Sequence, residues 1–288
     1  MILFEMRKVD FHDCVFDNDV DFKINHDRGS QPMFGNGASL RNVLFLKPER
    51  TTFRHVDLSM VEFLGTDLGR INFVSVYWPE FKRFKFAWSG NLRELKLSGV
   101  YDEILLATKE NLNKDEIELL RTEYRRLKQN YDENKNYPMA DQFYVGEMEV
   151  TRHYDTPLFW KLFSWRSQYR FASGYGTLPG RSLAILFLVL ILFSLEYMFT
   201  GLKVNSSLSG KALYINYDLA WCLPNLNMAL TDWLYCVWFG ISSILPFKDS
   251  AQVFEPSMWT RVIQLIETII LPVVVALFAF ALRRRFKR

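Results

Sequence analysis

Large apolar residues recur every five positions through TTFRHVDLSMVEFLGTDLGRINFVSVYW, at Phe53, Leu58, Phe63, Leu68, Phe73 and Trp78. Two positions before each stand Thr51, Val56, Val61, Thr66, Ile71 and Val76. Between them come Thr52, Asp57, Glu62, Asp67, Asn72 and Tyr77. A helix repeats at roughly 3.6 residues and a strand at about 2, so neither keeps this register over the whole run. A chain wound into coils with five-residue faces does, because each coil exposes an apolar interior until a neighbour stacks on it. Weaker units flank the run at Val9 to Phe11, Cys14 to Phe16, Val20 to Phe22, Leu40 with Phe45, and from Phe84 and Phe86 through Leu92 to Leu97. The register slips at 28–36 and again near Pro48.

After Tyr101 the pattern turns helical. Asn113 followed by Glu116 has capping-box spacing, and Ile117, Leu120, Tyr124, Leu127 and Tyr131 form one apolar stripe on a helix with a polar back. The turn DENKN leads to Tyr137 and Pro138, where proline suits a first helical turn, and Ala140, Phe143, Glu147 and Met148 follow on a second helix. Two such helices predict an antiparallel hairpin. In PLFWKLFSWRSQYRF, 157–171, aromatic rings alternate with Lys161, Arg166 and Arg170, a composition that suits the headgroup zone of an anionic leaflet.

Two later runs are continuously apolar, SLAILFLVLILFSLEYMFTGL at 182–202 and VIQLIETIILPVVVALFAFAL at 262–282. At about 1.5 Å per residue each is long enough to cross a hydrocarbon layer of roughly 30 Å. Arg166, Arg170 and Arg181 precede the first and RRRFKR follows the second, so the positive-inside rule predicts a two-pass protein of the inner (plasma) membrane with both termini cytoplasmic. The apolar stretch 230–245 is short for a third crossing and predicts a re-entrant or interfacial helix.

Composition narrows the chemistry. Hydrophobic residues make up 49% of the chain and charged ones 23%, distributed unevenly between a soluble part and a lipid-facing one. The first hundred residues are nearly balanced in charge, which argues against a nucleic-acid stripe and against an acidic DNA mimic. Cys14, Cys222 and Cys236 are too scattered for a disulfide scaffold or a zinc site. Glu147, Glu149 and His153 lack metal-ligand spacing, and no nucleophile motif surrounds His12, His26 or His55, so no enzyme activity and no cofactor are expected. Glu196 and Glu267 are the two acids inside the apolar runs, both roughly 21 to 22 Å from the inner side at about 1.5 Å per residue. Paired, they could bind a cation or a proton. Alternatively they face the outer headgroups or hydrogen-bond to Gln264, Arg261 or backbone.

The five-residue pattern resembles the pentapeptide repeat, whose family fold is a right-handed four-sided β-helix, with the large central residue and the one two before it pointing inward. The stretch YRRLKQNYDENKNYPMADQFYVGEMEVTR resembles a tetratricopeptide helix pair. With SGYGTLPGRSL and ETIILPVVVALFAFALRRRF, it makes the chain beyond residue 50 similar to membrane proteins that join pentapeptide repeats to a two-span, potassium-channel-like domain. The resemblance implies an α+β fold: a β-helix at 1–106, a helical hairpin at 107–154, an interfacial segment at 155–177 and a two-span domain at 178–288 with a re-entrant or interfacial helix between the spans.

Channel-bearing relatives carry a glycine-rich filter where this chain has Ser242, Ser243, Ile244, Leu245 and Pro246, a degenerate pore loop that would not present a ring of backbone carbonyls. SGYG at 173–176 looks like the filter motif but precedes the first span. The expected role is therefore a membrane-anchored adaptor or sensor, homo-oligomeric, embedded in membrane lipid and presenting a cytoplasmic surface to a protein partner. The alternative is an ion channel or pore without potassium selectivity.

Overall fold

The computed structural model describes residues 9–23, 34, 37–88, 91–109, 113–155, 164–206, 212–217, 226–244 and 252–286. The chain divides into two compact units, 1–168 and 169–287.

The first unit begins with short strands β1 (Val9–Asp10), β2 (Val15–Phe16), β3 (Val20–Lys23), β4 (Ala38–Ser39), β5 (Leu44–Phe45), β6 (Thr51–Arg54), β7 (Val61–Glu62) and β8 (Asn72–Val74). They pair in parallel as β1-β4-β7, β2-β5 and β3-β6-β8. Burial follows the period of five: Phe53, Leu58, Phe63, Leu68 and Trp78 are buried, as are Thr51, Val56, Val61, Thr66 and Ile71.

The pairing nevertheless corrects the expected fold. Among the described residues no closed or solenoid sheet forms; apart from the parallel bridge of Asp57 with Tyr77, the parallel pairs are confined to three small sheets of strands two to four residues long. Four five-residue faces demand a step of 20 positions from rung to rung, and among the described residues only β6 with β8, from Thr52–Asn72 to Arg54–Val74, and Asp57 with Tyr77 keep it. Elsewhere the step lengthens, to 29 from Val9 to Ala38, 23 from Ala38 to Val61 and 31 from Val20 to Thr51. A 3₁₀ turn at Pro48–Arg50 takes up part of the excess. The weak units from Phe84 to Leu97 are not coils at all. They form an antiparallel hairpin of β9 (Glu80–Trp88) and β10 (Asn91–Ser98), whose register shifts between Leu95 and Lys96. The right-handed four-sided β-helix is thus replaced by small sheets that the following helices cover.

Helices α1 (Tyr101–Thr108), α2 (Lys114–Glu133) and α3 (Tyr137–Asp155) follow. Asn113 caps α2 by accepting from the Asp115 amide at 3.3 Å. The stripe predicted for α2 is the packed one, with Leu120, Tyr124, Leu127 and Tyr131 buried against Ala140 and Phe143 of α3. One core spans strands and helices. Phe22, Phe53 and Phe73 stack with centroids 4.6 and 5.6 Å apart; Phe73 stacks on Tyr131 at 6.1 Å, and Tyr131 on Phe143 at 5.3 Å. Asn130 fixes the helix to the strands from the side, donating its amide to the carbonyls of Leu68 at 2.9 Å and Ile71 at 2.7 Å.

In the second unit, α4 (Trp165–Ser173) leads into a turn in which Gly174, Tyr175 and Gly176 all have positive φ. SGYG therefore closes a helix here: the Gly176 amide donates to the Ser173 carbonyl at 3.1 Å and the Leu178 amide to the same oxygen at 3.2 Å. Helix α5 (Pro179–Thr200) is the first helix long and apolar enough to cross a membrane, and α7 (Met258–Phe286) contains the second. Between them lie β11 (Leu202–Ser206), β12 (Ala212–Ile215), α6 (Leu226–Ile244) and β13 (Gln252–Pro256), the strands forming an antiparallel sheet centred on β11. The segment 230–245, expected as a re-entrant or interfacial helix, lies largely in this 19-residue α6, which packs against α5 and α7.

Candidate functional site

The most constrained polar geometry in the second unit lies where α5, α6 and α7 meet. Glycine starts it. Gly201, with φ at +94°, ends α5 by turning its amide back to the Tyr197 carbonyl at 3.3 Å. The chain then enters β11, and β13 returns it to α7, whose first turn is capped by Ser257: the Thr260 amide donates to Ser257 Oγ at 3.2 Å. Ser257 Oγ donates to the Thr200 carbonyl at 2.6 Å and Thr260 Oγ1 to the Gly201 carbonyl at 2.8 Å, while the Thr200 and Thr260 hydroxyls lie 2.9 Å apart. These bonds satisfy the orphan carbonyls at the end of α5 with side chains from the start of α7. They fix the two apolar helices against each other at that end.

About two turns further along α7, Glu267 is 1% exposed and accepts a hydrogen bond from the Tyr197 hydroxyl of α5. Helix α6 closes the third side through Gly240, where an added Cβ would stand 2.7 Å from Glu267 Oε1. Glycine at 240 thus leaves room for the carboxylate at a close approach of α6, and a side chain there would push Glu267 aside. Phe239 meets the Tyr197 ring edge-on at 5.0 Å, and Cys236 is buried beside them. Trp233 donates its indole N–H to Ser194 Oγ at 2.7 Å, and Tyr217 donates to Asp232 Oδ2 at 2.5 Å. Leu202, Val204 and Ile215 line the sheet side of this cluster.

The two acids of the apolar runs are not brought together. Glu267 is buried, whereas Glu196 is exposed on α5. Successive helix residues point about 100° apart, so when Tyr197 faces α7 its neighbour cannot. Glu267 is held by neither Gln264 nor Arg261 but by the Tyr197 hydroxyl. Of the pore-loop candidates, Ser242, Ser243 and Ile244 form the last turn of α6, with Ser242 Oγ donating to the Phe239 carbonyl at 2.9 Å. Leu245 and Pro246 lie outside the described residues. Nothing in the sequence marks Tyr197, Ser257 or Thr260; the one signal is Gly240, the sole glycine of the stretch 238–250.

The first unit carries a second polar constellation. Arg83 makes a bidentate pair with Glu103, at 2.6 and 2.5 Å, and donates to the Tyr124 hydroxyl at 3.2 Å. Tyr124 donates in turn to Glu103 and accepts from the Val100 amide at 3.2 Å. Burial pushes the Tyr124 phenol up, the Glu103 charge adds to it, and the hydroxyl stays protonated. Glu149 and Arg152 pair at 2.7 Å, so the acids beside His153 serve the helix. No group of three His, Cys, Asp or Glu among the described residues could hold a metal.

Together these features define a mixed α/β protein of two units, the second with two helices long and apolar enough to cross a membrane. No family model, curated protein or solved structure matches the chain.

Proposed function

We propose that the protein is a non-enzymatic, membrane-anchored adaptor or sensor of the inner membrane, with both termini in the cytoplasm. The first unit presents a protein-binding surface, and the second anchors it in lipid and supplies an oligomerisation surface. The observation that carries this reading is the division of labour between the units. One has its own aromatic core and an open groove lined by the polar side chains of Asp67, Arg70, Arg126, Gln129 and Glu133. The other exposes apolar side chains along both long helices, among them Phe187, Leu188, Leu192, Leu265, Ile269 and Val273. Such continuous exposure suits lipid or a second copy of the chain, not water.

The test uses the full chain in lipid nanodiscs. A cytoplasmic partner captured by the wild type and lost on reversing the groove charges (Arg70→Glu with Arg126→Glu) is the expected result. Reproducible unitary currents in a planar bilayer, abolished by substitutions at Ser242 and Ser243, would overturn it in favour of a pore.

A further inference from the structure

Three acids converge under the N-terminal end of α1. Asp102 in its first turn is 3% exposed and accepts from the backbone amides of Phe63, at 2.8 Å, and Leu64, at 3.2 Å, just beyond β7. Glu62 on β7 is 7% exposed. Glu123 enters from α2, 2% exposed, with no hydrogen-bond partner on either carboxylate oxygen. The basic groups are occupied elsewhere or lie at the rim. Arg41 stands 4.0 Å from Glu62 Oε2 and 3.7 Å from Glu116 Oε1, and its Nε is buried without a partner. Lys109 binds Glu116 at 2.7 Å, and Arg126 turns outward to Asp67 at 3.5 Å. Arg41 and, from farther out, Arg126 are the cations that act on the buried Glu123, and neither hydrogen-bonds it.

An ionised carboxylate buried without partners is too costly to persist, so it takes a counter-ion or a proton. The metal option is closed by placement, since these residues do not form a metal-holding group. We infer that the first unit is a proton-binding module: Glu123 folds as the neutral acid, and Asp102 takes up a second proton on mild acidification, tightening α1 and α2 onto the end of β7. Burial first, then the Asp102 charge, pushes Glu123 well above the usual carboxylate range. Burial likewise raises Asp102 to about 6, against the lowering pull of its two amide donors.

The direction follows from linkage. Asp102 holds its proton more tightly folded than unfolded, so its contribution is fully present below the unfolded value of 3.8 and is lost as pH rises through about 6. From about pH 7.5 to about pH 5, the ratio of closed to open α1 should rise roughly tenfold from this group alone. The inference stands whether or not the unit binds a protein partner.

Hydrogen exchange of the full chain in nanodiscs reads it directly. After correction for the intrinsic pH dependence of exchange, protection in α1 and the facing part of α2 should rise about tenfold over that range. The gain should vanish in Asp102→Asn. A flat wild-type profile, or the same gain in the Asn variant, overturns the Asp102 assignment. A measurement independent of that variant's folding covers Glu123: unfolding in guanidinium at about pH 7 with an indicator dye should release about one proton more from the wild type than from Glu123→Gln. Equal release shows Glu123 ionised in the fold and overturns the inference.

Discussion

Replacing Gly146 by alanine sets two effects of opposite sign against each other. Gly146 lies inside α3, where alanine is the better helix former by about 1 kcal/mol, so propensity alone predicts stabilisation. Packing predicts the reverse. A Cβ at this position would stand 2.2 Å from Tyr124 Cε1, 2.7 Å from Cδ1 and 2.8 Å from Cζ. Carbon atoms in contact prefer roughly 3.5 to 4.0 Å, so the overlap exceeds about 1 Å. The ring cannot swing clear, because its hydroxyl is held by Glu103, Arg83 and the Val100 amide, and Phe143 lies against it at 6.2 Å. Overpacking of this kind costs about 1 to 3 kcal/mol, and forcing Tyr124 out of its network breaks bonds to a charged pair worth about as much again. The net expectation is a destabilisation of about 2 to 4 kcal/mol. Thermal unfolding of the full chain in detergent, followed by exchange of α2 amides, measures it. Adding Tyr124→Leu should recover part of the loss non-additively. A Gly146→Ala chain that melts at or above the wild-type temperature refutes the reasoning.

Asn130→Ala leaves the carbonyls of Leu68 and Ile71 buried without donors and should destabilise the first unit by about 2 to 4 kcal/mol in the same assay. Phe53→Ala removes the middle ring of a stack with no exposed surface and should cost about 3 to 5 kcal/mol. Glu267→Ala strands the Tyr197 hydroxyl and should lower detergent stability by about 1 to 2 kcal/mol, whereas Glu196→Ala on the exposed face should be silent; size-exclusion profiles after a heat step compare the two.

Burial periodicity was legible from Thr51 to Trp78, since a side chain's inward direction is set by local register. Sheet closure was not, because it depends on the sum of residues between rungs: the excess between Ala38 and Val61 is invisible as long as each five-residue face is read alone. The α2 stripe and the Asn113 cap were readable for the same local reason. Glu123, adjacent to the stripe residue Tyr124, was read as part of a polar back and is buried. An apolar stripe wide enough to meet both strands and α3 takes in its polar neighbours. Both apolar spans were plain from composition, but the pairing of Tyr197 with Glu267 joins residues 70 positions apart and left no trace in either segment.

The two deeply buried carboxylates show why the surroundings, and not burial, decide what an acid does. Glu267 has a hydroxyl donor and a glycine that lets α6 approach it, so the carboxylate is a fastener whose removal loosens three helices. Glu123 has no donor and only Arg41 and Arg126 act on it without bonding it, so a proton makes its burial tolerable. Glutamine separates the cases. At position 123 it reproduces the neutral acid and keeps the fold while abolishing the proton released on unfolding. At position 267 its carbonyl can still accept from Tyr197, but its amide puts a two-hydrogen donor where Oε1 lies, 2.7 Å from where a Cβ on Gly240 would stand. A chain tolerant of glutamine at 123 and not at 267 is what these contacts require, and the opposite tolerance would mean that the two sites have been assigned the wrong way round.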